Sequence, residues 1–145
     1  MNAFSRTAWL PLSAALIIAV CMFGTYSNTA VAAGVKVTLT GDQEVPPVKS
    51  TGSGSGTIII GADKSVSGSV TTTGIAGNAA HIHEAAAGKN GPVIIPLIKN
   101  GDTYTVPAGS KLSDAQYASF QGGNLYVNVH TAANPNGEIR GQLKP

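Results

Sequence analysis

Three histidines, His81, His83 and His130, are the residues of this 145-residue chain best suited to chemistry. His81 and His83 stand two apart in Ala80-His-Ile-His83. On a strand that spacing sends both rings from one face, about 7 Å apart along it, with Ile82 on the other side. His130 ends residues 124–130, where Leu125, Val127 and Val129 alternate with Tyr126, Asn128 and His130. The apolar set points inward, so His130 points outward. Where these two strands are neighbours in one sheet, three imidazoles converge. Three neutral imidazoles suit copper or zinc. The plainer alternative is three unconnected surface histidines, since His-x-His on a strand is a common pattern. Against it, residues 34–145 place all their histidines on two strands of the same facing.

Arg140 is the only arginine after residue 33. In residues 138–143, Glu138, Arg140 and Gln142 face away from Ile139 and Leu143, on the side of His130. A lone guanidinium there reads in two ways: as a guide drawing an anion toward a metal, or as a structural ion pair with Glu84 or Glu138. Glu84 and Glu138 are also candidates to orient an imidazole.

The elements that must hold these residues read as short strands. Val35, Val37 and Leu39 alternate with Lys36, Thr38 and Thr40, a half-buried strand. Residues 41–56, rich in Gly, Pro and Ser, read as a loop. Residues 57–60 and 66–73 read as strands around a turn at Gly61-Ala-Asp-Lys64. A break at 74–78 precedes a strand at 79–83 and a loop at 84–92. Residues 93–98 form an apolar strand with Pro96 at an edge or bulge, and Asn100-Gly101 is a turn. Ser113 with Gln116 predicts a capping box, Leu112 with Tyr117 a hydrophobic staple, and Gly122-Gly123 a helix end. Residues 138–143 form the last strand, after a polar loop at 131–137. Short strands at this spacing predict an antiparallel sandwich or barrel with one short helix.

Composition removes other classes. Charged residues make up 11% and the formal net charge is +2, without long charge runs. That excludes a basic arm or acidic tail and argues against a nucleic-acid partner. Residues 1–33 read as a secretory signal: Arg6 near the start, a mostly apolar stretch at 10–23 broken by Pro11 and Ser13, and Ala30-Val31-Ala32 before cleavage after Ala32 or Ala33. A membrane anchor needs about 20 apolar residues, and this run is shorter. Residues 34–145 then form one domain, periplasmic or secreted, with no membrane attachment once the leader is removed. The single cysteine, Cys21, and both methionines lie in the leader, so the domain has no disulfide, no cysteine nucleophile and no sulfur ligand. Gly52-Ser-Gly-Ser-Gly56 lacks the lysine of a phosphate-binding loop.

Several of these segments together resemble a known family. Gly41-Asp-Gln-Glu-Val-Pro-Pro47, Ala80-His-Ile-His83, Gly88-Lys-Asn-Gly-Pro-Val93, Tyr126-Val-Asn-Val-His-Thr131 and Asn134-Pro-Asn-Gly-Glu-Ile-Arg-Gly141 resemble the CHRD (chordin-type) domain, over residues 35–143. A more distant resemblance carries more chemistry. His81-Ile-His83-Glu84 is similar to the copper-binding His-Val-His-Glu strand of copper/zinc superoxide dismutases, and Val129-His130 to the later Val-His that supplies another copper ligand. Glu138-Ile-Arg140 falls where that family carries its superoxide-guiding arginine. This resemblance implies an all-β antiparallel Greek-key sandwich or barrel of that type, with one copper ion on His81, His83 and His130, Arg140 as the catalytic residue and superoxide as substrate. The bridging histidine, the zinc ligands and the disulfide of that family have no counterpart, which leaves a mononuclear copper site. Dismutation needs a metal with two accessible oxidation states, so copper rather than zinc would be the active ion. The alternatives are a periplasmic protein that binds or sequesters copper ions without turnover, and a metal-free protein-binding module. A homodimer is left open.

Overall fold

The computed structural model describes Met1 and residues 34–145. All of the expected leader but Met1 lies outside the described residues. Among the described residues, no helix is long and apolar enough to cross a membrane. The strands are β1 (Gly34–Leu39), β2 (Ser53–Ile60), β3 (Val66–Thr73), β4 (Gly77–Glu84), β5 (Val93–Pro96), β6 (Ile98–Asn100), β7 (Thr103–Thr105), β8 (Leu125–Thr131) and β9 (Ile139–Leu143), with one α-helix, α1 (Asp114–Gln121). A five-stranded sheet has the order β1-β2-β3-β7-β6 and a four-stranded sheet the order β5-β4-β8-β9. Every pairing is antiparallel. The all-β sandwich with one short α-helix expected from the sequence is what the chain forms.

Alternation builds the core. Val35, Val37 and Leu39 of β1 are buried while their neighbours are exposed. Ile58, Val70 and Tyr104 of the first sheet and Ile82, Val127, Val129, Ile139 and Leu143 of the second are fully buried and belong to one cluster. Each such aliphatic side chain contributes about 1.5–3 kcal/mol relative to an exposed one. The sheets are also tied at one edge. Thr40, just past β1, exchanges two backbone hydrogen bonds with Arg140 of β9, both 3.0 Å.

Three expectations about the strands need correction, and one strand has no counterpart among them. β2 begins at Ser53, inside the segment read as loop, and its glycines suit the close approach to β3: a side chain on Gly56 would collide with the Ser69 backbone, and one on Gly54 would be tight. Tertiary fit overrides the poor strand propensity of Ser and Gly. The break read at 74–78 ends earlier, since β4 starts at Gly77 and pairs with Thr131. Residues 93–98 are two strands, not one. Leu97 donates its N–H to Ala80 O, and the chain then leaves the second sheet for the first. The three-residue strand β7, too short to show a periodic pattern, was not foreseen.

The helix start is as expected. Gln116 N–H donates to Ser113 Oγ at 3.2 Å, and Ser113 N–H donates to Gln116 Oε1 at 2.9 Å. Leu112 is buried and Tyr117 packs against the same cluster. Ser113→Ala is expected to lower stability by about 1 kcal/mol, read by chemical denaturation. A change below a few tenths of a kcal/mol would mean the cap is dispensable.

Candidate metal centre

β4 and β8 are neighbours, paired through His81 with Asn128, His83 with Tyr126 and Ala79 with His130, next to a bulge between Gly77 and Ala79. The face that holds both rings of β4 is therefore the face of Tyr126, Asn128 and His130. Ring centroids are 5.6 Å apart for His81 and His83, 4.8 Å for His81 and His130, and 6.2 Å for His83 and His130. One ring nitrogen from each residue lies within 4.8 Å of the other two. The three histidines singled out from the sequence thus form one cluster.

Their hydrogen bonds fix which nitrogens are free. His83 Nδ1 lies 2.9 Å from Gly91 O, and His130 Nδ1 lies 2.9 Å from Pro135 O. A carbonyl oxygen only accepts, so both Nδ1 atoms carry protons and both Nε2 atoms carry lone pairs. His83 Nε2 is buried and has no hydrogen-bond partner. His81 Nδ1 lies 2.9 Å from His130 Nε2, so it is the donor of that pair. A cation replacing that shared proton would meet His81 Nδ1, His83 Nε2 and His130 Nε2. An unpartnered buried acceptor is costly unless a donor or cation satisfies it. Backbone carbonyls on the distal nitrogens are the usual support of metal-binding imidazoles. The residues present therefore fit a metal that prefers nitrogen. Burial, with the His130 and His83 rings adding, pushes the His81 pKa down. Burial also pushes His83 down, against the Gly91 bond that favours its charged form. Both shifts favour the neutral, ligating state.

Glu84 and Glu138 do not orient these rings. Glu84 accepts from Ser119 Oγ at 2.6 Å. Glu138 accepts from Ser50 Oγ at 2.8 Å and from Thr131 Oγ1 at 2.5 Å.

Arg140 shares the face of the histidines, as alternation required, but around Arg140 that face is closed to solvent. Residues 85–91 cover it, and Arg140 is 1% exposed. Its Nη1 donates to Lys89 O at 2.8 Å and more weakly to Asn90 Oδ1 at 3.4 Å. Its Nη2 donates to Ala86 O and Gln142 Oε1, both at 3.2 Å. Its Cζ sits 3.4 Å from the centroid of Tyr126, whose ring stacks on His83 with centroids 4.8 Å apart and planes 8° apart. Neither of the two expectations for Arg140 describes this arrangement. It is not an exposed guanidinium, and it has no ion pair with Glu84 or Glu138 among the described residues.

One participant was not singled out from the sequence. Glu44 is 4% exposed, and its Oε1 has no hydrogen-bond partner. It lies beside Asn128, close enough that a Cβ on Gly137 would strike both side chains. Burial raises its pKa, outweighing the Arg140 cation, Asn128 and the Val45 backbone, which act the other way. Glu44 lines two cavities, of about 400 Å³ and about 270 Å³. Its segment, Gly41-Asp-Gln-Glu-Val-Pro-Pro47, helped carry the family resemblance, and that was the available signal. Its proline content read only as loop.

The described residues form a two-sheet β domain with a three-histidine cluster on one face of the smaller sheet. The CHRD domain family matches residues 35–143, and the chain belongs to it. Searches of curated proteins and of solved structures find no match.

Proposed function

We propose that this CHRD domain is exported and binds one copper ion through His81, His83 and His130. The observation that carries the reading is the convergence of three imidazole nitrogens within 4.8 Å, one of them a buried, unpartnered acceptor. An all-imidazole donor set suits copper and zinc, and among divalent first-row ions copper binds such sites most strongly. Bound copper would supply one-electron redox chemistry. The chain's own part is to present three neutral imidazoles, hold two of them by backbone carbonyls, and leave His81 and His130 partly open to solvent.

Copper holding or delivery is the reading the surroundings favour, because Arg140 is too buried to gather anions from solvent. Superoxide turnover is the second reading. It is favoured by the partial exposure of His81 and His130, which leaves an approach for a small molecule.

Copper(II) titration from pH 8 to pH 4.5 tests the site. Neutral imidazole is the ligand, and the lowered pKa values of His81 and His83 delay proton competition. Affinity is therefore expected to hold near pH 7 and to fall only below the ordinary imidazole pKa of about 6.5. Constant affinity across that range would exclude histidine ligation. Superoxide consumption by the loaded protein at pH 7 then separates the readings: a rate no greater than that of free copper supports holding, and a greater rate supports turnover.

A further inference from the structure

Residues 85–91 are anchored to the sheet beneath them at nearly every step. Gln142 Nε2 donates to Ala85 O at 2.9 Å. Arg140 bonds Ala86 O, Lys89 O and Asn90 Oδ1. Asn90 Nδ2 donates to Val45 O at 2.7 Å, tying in the segment that carries Glu44. The Gly91 N–H donates to Tyr126 Oη at 3.3 Å, and Gly91 O accepts from the His83 Nδ1–H. Gly91 itself has no room for a side chain, since a Cβ would run into the Glu84 carbonyl.

Arg140 is the hub of this arrangement. A planar guanidinium presents five donors in a fixed fork. Here one face of that plane lies on Tyr126 while the fork engages the loop, and Tyr126 in turn stacks on His83. Arg140 thus reaches His83 by two routes, through the ring stack and through the loop that delivers Gly91 O.

We propose that Arg140 is a positioning residue for the histidine cluster: by clamping residues 85–91 and backing Tyr126, it holds His83 in the Nδ1–H tautomer and so makes Nε2 the metal-binding atom. The proposal rests on the metal reading for its consequence but not for its geometry, which concerns the metal-free protein. It assigns to Arg140 a role opposite to electrostatic steering. The shape of the fork matters, and the charge alone does not substitute. His130 provides an internal control, because its Nδ1 proton is held by Pro135 O on a different loop.

The test is nitrogen-15 NMR of the histidine rings in metal-free full chain at pH 8, on the wild type, Arg140→Gln, Arg140→Lys and Asn90→Ala. Wild-type His83 and His130 are expected as single Nδ1–H tautomers. In Arg140→Gln and Arg140→Lys, His83 becomes a tautomer mixture while His130 is unchanged, and copper affinity falls about 10–100-fold. Asn90 is exposed, so its replacement keeps the fold while removing one tie to Arg140 and one to Val45. A smaller shift in the same direction is expected there, and this variant decides the matter if Arg140→Gln does not fold. His83 staying a single Nδ1–H tautomer in folded Arg140→Gln, or in Asn90→Ala where that stands alone, overturns the proposal. Full rescue by Arg140→Lys also overturns it, because charge would then suffice. A shifted His83 tautomer in a protein whose wild type binds no copper supports the clamp while removing the metal reading.

Discussion

His83→Ala is expected to cost more than about 100-fold in copper affinity, with the domain still folded. Changes to groups that merely support a metal ligand already cost about 10–100-fold, and here a ligand itself is lost. The same substitution at His81 or His130 is expected to act in the same direction. His83 is the most informative of the three because its Nε2 is buried and has no hydrogen-bond partner. In the metal-free protein the loss of His83 leaves Gly91 O without its donor, which costs about 1–3 kcal/mol of stability. The two readouts therefore separate: stability falls modestly and copper binding collapses. Isothermal titration on the wild type and the three alanine variants checks this. Wild-type affinity in folded His83→Ala would end the three-imidazole reading, because the remaining pair cannot form the same chelate.

The facing of each site residue was legible in the sequence, and its surroundings were not. Period-two alternation places His81, His83, His130 and Arg140 on one face, and the registers of β4 with β8 and of β8 with β9 agree. Alternation says which side of a sheet a residue takes but not what covers that side. In β8 both faces are closed up to His130: Val127 and Val129 face the core, while Tyr126 and Asn128, at 2% exposure each, face the covering loops. The loop at 85–91 has no periodic signal of its own, and its ties to Arg140 and Gln142 span more than fifty residues of chain. Alternation therefore puts Arg140 on the correct side and is silent about the loop that buries it. Glu44 escaped notice for a related reason, since burial of a carboxyl inside a Pro- and Gly-rich segment leaves no pattern in the chain. The strand at Ser53–Ile60 shows the converse. Its first four residues are poor strand formers, yet they hydrogen-bond along β3 because glycine lets the backbones approach.

Gly141→Ala is expected to lower stability by about 3 kcal/mol, a drop of roughly 10 °C in Tm. Gly141 sits on β9 beside β1, and a Cβ there would stand 2.5 Å from both Thr38 O and Val37 Cγ2. The first of these is backbone and cannot rotate away, so β1 and β9 must separate. That separation strains the paired Thr40–Arg140 hydrogen bonds one residue away and moves the guanidinium that clamps residues 85–91. Gly88→Ala offers the contrast. Nothing lies within 4 Å of its would-be Cβ, but its φ of 76° is left-handed, so the cost there is conformational and about 1 kcal/mol. The two variants also differ at the histidines. Gly141→Ala is expected to weaken copper binding through Arg140, whereas Gly88→Ala, at the exposed crest of the loop, leaves the Arg140 contacts at Ala86 and Lys89 in place. Denaturation curves and copper titrations on both proteins check the pair. Equal stability losses would mean that the edge between β1 and β9 yields as easily as a loop, and the histidine cluster would then need another source of rigidity.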